Sequence, residues 1–211
     1  MTPLFPSSPI RTLILASIAC ISFIAIDSVL AATERRETAS AAAQLNSDGQ
    51  RLMQQGKYEQ AADAFRSAIA NQRESTQYPL ALGQALMYSG QLDAAASTLT
   101  ELLKSSPMSG PANLQMARVL AEQTQFEEAA FYYHRAIYGQ WKTNVSGNRL
   151  NARFELAYFL SERGWKTDLM AELLALQQQA PKDPATRRKL ADLFAAADAP
   201  AQSRTQPTPR P

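Results

Sequence analysis

The sequence predicts an all-α solenoid built from antiparallel helix pairs. Three observations lead there. Residue classes recur every 34 positions through the middle of the chain. Each unit holds two apolar stripes at helical spacing. A short polar turn, centred on Gly56, Gly90 or Gly164, joins the two stripes.

Composition narrows the function classes first. The 211 residues include one cysteine, Cys20, and one histidine, His134. That inventory removes zinc fingers, cysteine frameworks, Cys/His catalytic pairs and multi-histidine metal sites. A net charge of +2 gives no electrostatic case for nucleic-acid binding. No glycine-rich phosphate loop is present, and the single histidine has no catalytic motif around it. The sequence therefore predicts a protein that is not an enzyme and needs no cofactor or metal.

Residues 1–32 read as an address. Arg11 precedes an uncharged, largely apolar run from Thr12 to Ile26, Asp27 ends it, and Val29-Leu30-Ala31-Ala32 supplies small residues for cleavage after Ala31 or Ala32. The run is short for a membrane span, which needs ~20 apolar residues. A cleaved signal peptide is the favoured reading, so the protein is expected to be exported and periplasmic or envelope-associated. Two alternatives stay open. The segment is an uncleaved anchor, or Ser17-Ile18-Ala19-Cys20 is a lipoprotein signal. A polar lead-in follows over residues 33–41.

Seven columns keep one register across the next three units. They are Gly49, Gly83 and Ala117; Leu52, Leu86 and Leu120; Gly56, Gly90 and Thr124; Tyr58, Leu92 and Phe126; Ala61, Ala95 and Ala129; Phe65, Leu99 and Tyr133; and Ala68, Leu102 and Ala136. A fourth unit follows after six extra residues, with Ala157, Leu160, Gly164, Leu169, Leu173 and Leu176 in the matching places. Pro107 and Pro181 share a late position of units two and four. The units run 42–75, 76–109, 110–143 and 150–183, with a loop insertion near 139–149. Within a unit, the small residues let two helix backbones approach. Phe65, Leu99 and Tyr133 are expected to fill the layer to the next unit. Such a pair cannot bury its faces alone, so the units must stack.

This pattern resembles the tetratricopeptide repeat (TPR) family. The departures are Arg73 at the late proline of unit one, and Lys166 and Leu169 at an aromatic and a small column of unit four. Residues 184–198 repeat the first half of a unit, with Leu190, Ala191 and Phe194 in the apolar columns, and read as a capping helix. Residues 199–211 are rich in proline and read as a disordered tail.

The resemblance implies a partner groove lined by the first helix of each unit. Carried onto this sequence, its columns place Asn46, Gln50, Met53, Gln84, Met87, Tyr88, Arg118, Glu122, Phe154, Tyr158 and Glu162 there. Amides can bond a peptide backbone, while methionines and aromatics take apolar side chains. The partner implied is a protein or peptide, not nucleic acid, and a membrane only if the N-terminal segment is retained. The carboxylate clamp known in some members needs cations where this chain has Asn46, Gln50, Ala81, Pro111 and Gln115, so a terminal carboxylate is not the expected ligand. Trp141, in the insertion, is a second candidate contact, although an aromatic there more often folds back as a plug between units three and four. The function expected is a non-catalytic scaffold in the bacterial envelope. The alternatives are a membrane-anchored assembly factor and a self-associating structural module.

Overall fold

A computed structural model describes the backbone of residues 9–179 and 184–198, with side chains from residue 28 onward. Among the described residues there are nine helices and no strand beyond one isolated bridge. They are α1 (Pro9–Gln54), α2 (Tyr58–Asn71), α3 (Gln77–Tyr88), α4 (Leu92–Ser105), α5 (Gly110–Glu122), α6 (Phe126–Tyr138), α7 (Val145–Arg163), α8 (Lys166–Gln179) and α9 (Pro184–Asp198). Four helix pairs and a final single helix make the all-α solenoid that the repeat predicts.

The pairs form because each turn ends its first helix in the same way. Gly56, Gly90 and Gly164 take φ of +72°, +77° and +71°, a left-handed conformation that costs glycine nothing. The amide of the following residue then reaches back to the carbonyl five positions earlier. Lys57 bonds Leu52, Gln91 bonds Leu86 and Trp165 bonds Leu160, at 2.9–3.1 Å. Unit three makes the same bond, from Gln125 to Leu120 at 2.9 Å, but with Thr124 at φ +62°.

Small residues set the helix spacing. A Cβ on Gly49 would stand 2.6 Å from the Phe65 ring, and one on Gly83 would stand 2.9 Å from Leu99. These large side chains thus fill the hollow left by their own unit's glycine. Tyr133, in the same column, also reaches the next unit, its ring 5.4 Å from Phe159. Phe65, Leu86, Leu99, Leu156, Leu160, Leu169, Leu173 and Leu176 are all essentially inaccessible, forming a core continuous along the array.

Three boundaries differ from the sequence reading. One helix, α1, runs unbroken from Pro9 to Gln54 across the expected lead-in, and the first unit occupies its C-terminal part. Among the described residues, no helix is long and apolar enough to cross a membrane. The insertion is only partly loop: α7 starts at Val145, so it adds helix to the front of unit four. In α9 the predicted Leu190 and Phe194 are half-buried against the core, but Ala191 is exposed and Leu193 and Ala197 lie deepest, so the apolar stripe runs through residues 190, 193, 194 and 197. The tail at 199–211 and Pro181 lie outside the described residues.

Candidate functional site

The inner wall of the array is identified by which helices touch. First helices of successive units meet directly, α1 with α3, α3 with α5, and α7 with α9. Second helices do not pack on one another in this way, so the array curves with the first helices inside. One junction breaks the series, because the backbones of α5 and α7 stand apart. A cleft of about 490 Å³ opens there, lined by Arg118, Glu122, Glu155, Tyr158, Glu162 and Arg163, with Phe126, Tyr133 and Phe159 among its apolar walls.

The residues of the cleft are held by specific contacts. Arg118 Nη2 and Nε donate to the two oxygens of Glu155 at 2.6 and 2.9 Å, a forked pair that bridges the open junction. Arg118 Nη1 also donates to Gln115 Oε1 at 3.3 Å. Burial works against the Arg118 charge, but the Glu155 carboxylate outweighs it and holds the guanidinium above its ordinary pKa. Phe159 is the hub of the apolar wall. Its ring lies 5.4 Å from Tyr133 and 6.2 Å from both Phe126 and Trp165. Arg163 lies over this wall, 3.9 Å from the Phe159 ring centre and 4.3 Å from that of Phe126. Burial, with Glu155 adding to it, pushes the Tyr133 phenol up to about 12.

The eleven predicted groove positions separate into three groups. Tyr88 and Tyr158 are 50% and 42% exposed, and Gln50, Glu122 and Glu162 are also exposed. Met53, Gln84, Met87 and Arg118 are half-buried. Asn46 and Phe154 are buried, so neither is open to a partner in this conformation. Their column is turned inward throughout the array, since Leu114 is buried and Leu80 half-buried at the equivalent places, while Glu155, Tyr158 and Glu162 line the cleft. The structure brings Arg118, Glu122, Tyr158 and Glu162 together at the α5–α7 junction. Tyr88 stacks on Tyr58 at 5.2 Å, and Gln115 donates to the sulfur of Met87 at 3.3 Å, so these form a separate region of the wall.

Trp141 is not displayed at the loop tip. Its indole N–H donates to the Ala136 carbonyl at 2.9 Å, and its ring covers Gly110 so closely that a Cβ there would stand 2.4 Å away. The adjoining backbone pairs with the start of unit three, Gly110 to Gln140 at 2.8 Å and Gln140 to Met108 at 2.6 Å. Trp141 therefore plugs unit three itself rather than the gap between units three and four. Arg135 reinforces the same corner by donating to Asn113 and to the Pro107 carbonyl at 2.9 and 2.6 Å. His134 is surface-exposed, with Nδ1 3.8 Å from Glu172.

Comparison with known proteins follows from this geometry. Models of the tetratricopeptide repeat match residues 52–107 and 80–145. Residues 52–145 of this chain are tetratricopeptide repeats. Its fold is similar to the nearly identical TPR-like repeats of a Podosopora anserina kinesin light chain, with a TM-score of 0.59 and 20% identity over 72% of this chain and 85% of that one. It also resembles YrrB, a TPR protein with an unusual peptide-binding site, with a TM-score of 0.50 and 16% identity over 72% and 82%. The first TPR of Spaghetti (RPAP3), bound to the HSP90 peptide SRMEEVD, matches with a TM-score of 0.50 and 19% identity over 57% and 91%. No curated protein matches the chain.

The sequence columns missed Glu155, Arg163 and the Phe126–Tyr133–Phe159 wall as parts of this TPR groove. Glu155 and Arg118 lie 37 positions apart. The one available signal was the six-residue insertion, which falls at the junction where the wall opens.

Proposed function

We propose that the protein is a non-catalytic scaffold that holds a segment of a partner protein in its concave groove, centred on the cleft between α5 and α7. The cleft carries this reading: it combines exposed Tyr158, Glu122 and Glu162 with a rigid aromatic wall. Such a mix of an apolar body and a few placed polar groups suits peptide recognition. Two proteins of similar fold with peptide sites lend support. Export to the bacterial envelope is part of the proposal, supported by the signal-like pattern of residues 1–32. N-terminal sequencing of the natural protein checks it: a start at Ala32 or Thr33 is expected, and a start at Met1 points to an anchored assembly factor.

The groove is tested by photo-crosslinking in cells. A photoreactive side chain at Tyr158 should capture a partner, while one at Leu174, an exposed position on α8, should not. Silence at Tyr158 together with capture at Leu174 would move the interface to the outer face. A second reading, self-association, is favoured by exposed Phe131 and Tyr138 on α6 and Leu174 on α8. A dimer mass in solution that reverts to monomer on Tyr138→Ser would support it.

A further inference from the structure

We propose that the cleft between α5 and α7 receives a lysine or arginine side chain presented by an extended segment of the partner. This rests on the peptide-groove reading and assigns the chemistry of the ligand. The charges of the cleft decide it. Two guanidiniums and three carboxylates line the space, an excess of one negative charge, and each guanidinium already faces a carboxylate of the cleft. Arg118 is forked onto Glu155. Arg163 lies on two phenylalanine rings, donates to the Phe159 carbonyl at 3.2 Å and meets Glu162 at 3.2 Å.

The carboxylates are not used up in the same way. Glu122 is exposed and makes no hydrogen bond or ion pair among the described residues. The Glu162 side chain is 74% exposed, against 21% for its partner Arg163. An ionised carboxylate can accept about four hydrogen bonds, so one long contact leaves most of its capacity open. Tyr158 stands on α7 between Glu155 and Glu162, and an aromatic face attracts a cation lying over it. A basic side chain entering here meets free acceptors and a ring face. An acidic one meets the exposed carboxylates of Glu122 and Glu162, while the spare guanidinium donor, Arg163 Nε, is buried, and like charges brought together disfavour binding. The exposed amide of Gln50 and the half-buried one of Gln84, further along the wall, suit the backbone of an extended segment.

The test selects random dodecapeptides, displayed on phage, against the full chain at low salt. The recovered peptides are then measured by fluorescence anisotropy. They should converge on one lysine or arginine at a fixed position. Placing arginine at that position and then replacing it with citrulline, its uncharged isostere, should weaken binding about tenfold, equivalent to ~1.4 kcal/mol. The double variant Glu122→Gln/Glu162→Gln should lose a similar factor and no longer distinguish the basic peptide from the citrulline one. Both glutamates are exposed, so its melting temperature should match the parent, which separates binding from folding. Peptides anchored by an acidic residue, or indifferent to citrulline, would overturn the basic assignment and leave the groove reading standing. Absence of any peptide displaced by Tyr158→Ala would overturn both. Photo-crosslinking from Tyr158 to a second copy, or to residues 199–211 of the same chain, would overturn a separate partner as occupant.

Discussion

The junction between units two and three and the junction between units three and four are built from the same repeat and end differently. At the first, α3 packs on α5 and the inner wall is closed. At the second, α5 and α7 part, and an ion pair between Arg118 and Glu155 spans the gap. The difference lies in the connection. Four residues, Ser106–Ser109, lead from α4 to α5, whereas six, Gly139–Asn144, lead from α6 to a lengthened α7. The longer link is pinned back onto unit three through Gln140 and Trp141. It therefore does not carry α7 tightly against α5. A solenoid can thus make a binding cleft without changing its repeat, by loosening one joint and tying the extra residues down elsewhere.

The largest expected effect comes from breaking the open joint. Phe159 is 5% exposed and touches Tyr133, Phe126 and Trp165. With α5 and α7 apart, units three and four join through α6 and α7, and this ring lies at the centre of that aromatic contact. Phe159→Ala should cost ~3–5 kcal/mol by lost burial and a residual cavity. Denaturant unfolding should also become less cooperative, with unit four and α9 opening first, because repeat arrays unfold at their weakest interface. A single sharp transition at unchanged midpoint would show that the joint does not depend on this ring.

Within a unit, the closed packing is tested at Gly83. A leucine there must displace Leu99, which already stands 2.9 Å from the position of the first added carbon. Gly83→Leu should cost on the order of 1–3 kcal/mol through overpacking, less any small contribution from better helix propensity. A thermal melt checks it. An unchanged Tm would show that α3 and α4 can separate freely, contrary to the tight spacing in unit two.

These two tests divide along the line between what the sequence shows and what it hides. Packing inside a unit is legible because both partners fall within one 34-residue period. Gly49 with Phe65 and Gly83 with Leu99 recur at fixed columns, as do the turns at Gly56, Gly90 and Gly164. Packing between units is less legible, because it depends on how far one pair is turned relative to the next. That is why no column announces the pairing of Arg118 with Glu155, and why Leu193 and Ala197 lie deepest in α9. The cleft itself was only half visible: Arg118, Glu122, Tyr158 and Glu162 were on the predicted face, but the wall behind them belongs to α6 and the far side of α7. No periodicity encodes a gap.

The open joint also has a pH signature. Tyr133 in the wall has its pKa raised from 10.0 to about 12, first by burial and then by Glu155. The folded state therefore holds the phenolic proton more tightly than the unfolded state. Its contribution to stability is complete below pH ~10, falls as pH rises toward about 12, and is gone above that. The size is about 2 kcal/mol, from a shift of two pKa units at ~1.4 kcal/mol each, reduced for partial solvation. Tyr133→Phe should flatten this limb of the stability curve relative to the parent, which still titrates its lysines and other tyrosines. Parallel curves from pH 9 to 12 for the two proteins would show that the phenol is not confined by the joint.

The smallest effect has the opposite sign and also lies beside the cleft. Thr124 occupies the turn position that glycine holds in the other three pairs, at φ +62°. A left-handed conformation costs a residue with a Cβ ~1–2 kcal/mol, and β-branching makes it worse. Glycine removes that strain but adds ~0.5–1 kcal/mol of unfolded-chain entropy. Thr124→Gly should therefore stabilise the protein by a net amount of roughly 0.5–1 kcal/mol. The other three turns predict that the Gln125-to-Leu120 bond survives the change, because Gly56, Gly90 and Gly164 support the same bond. Equal stability with a slower-exchanging Gln125 amide would mean that the strain had been shared along the turn. A loss of stability would mean that the threonine side chain braces the cleft wall, making this turn part of the site and not merely the end of α5.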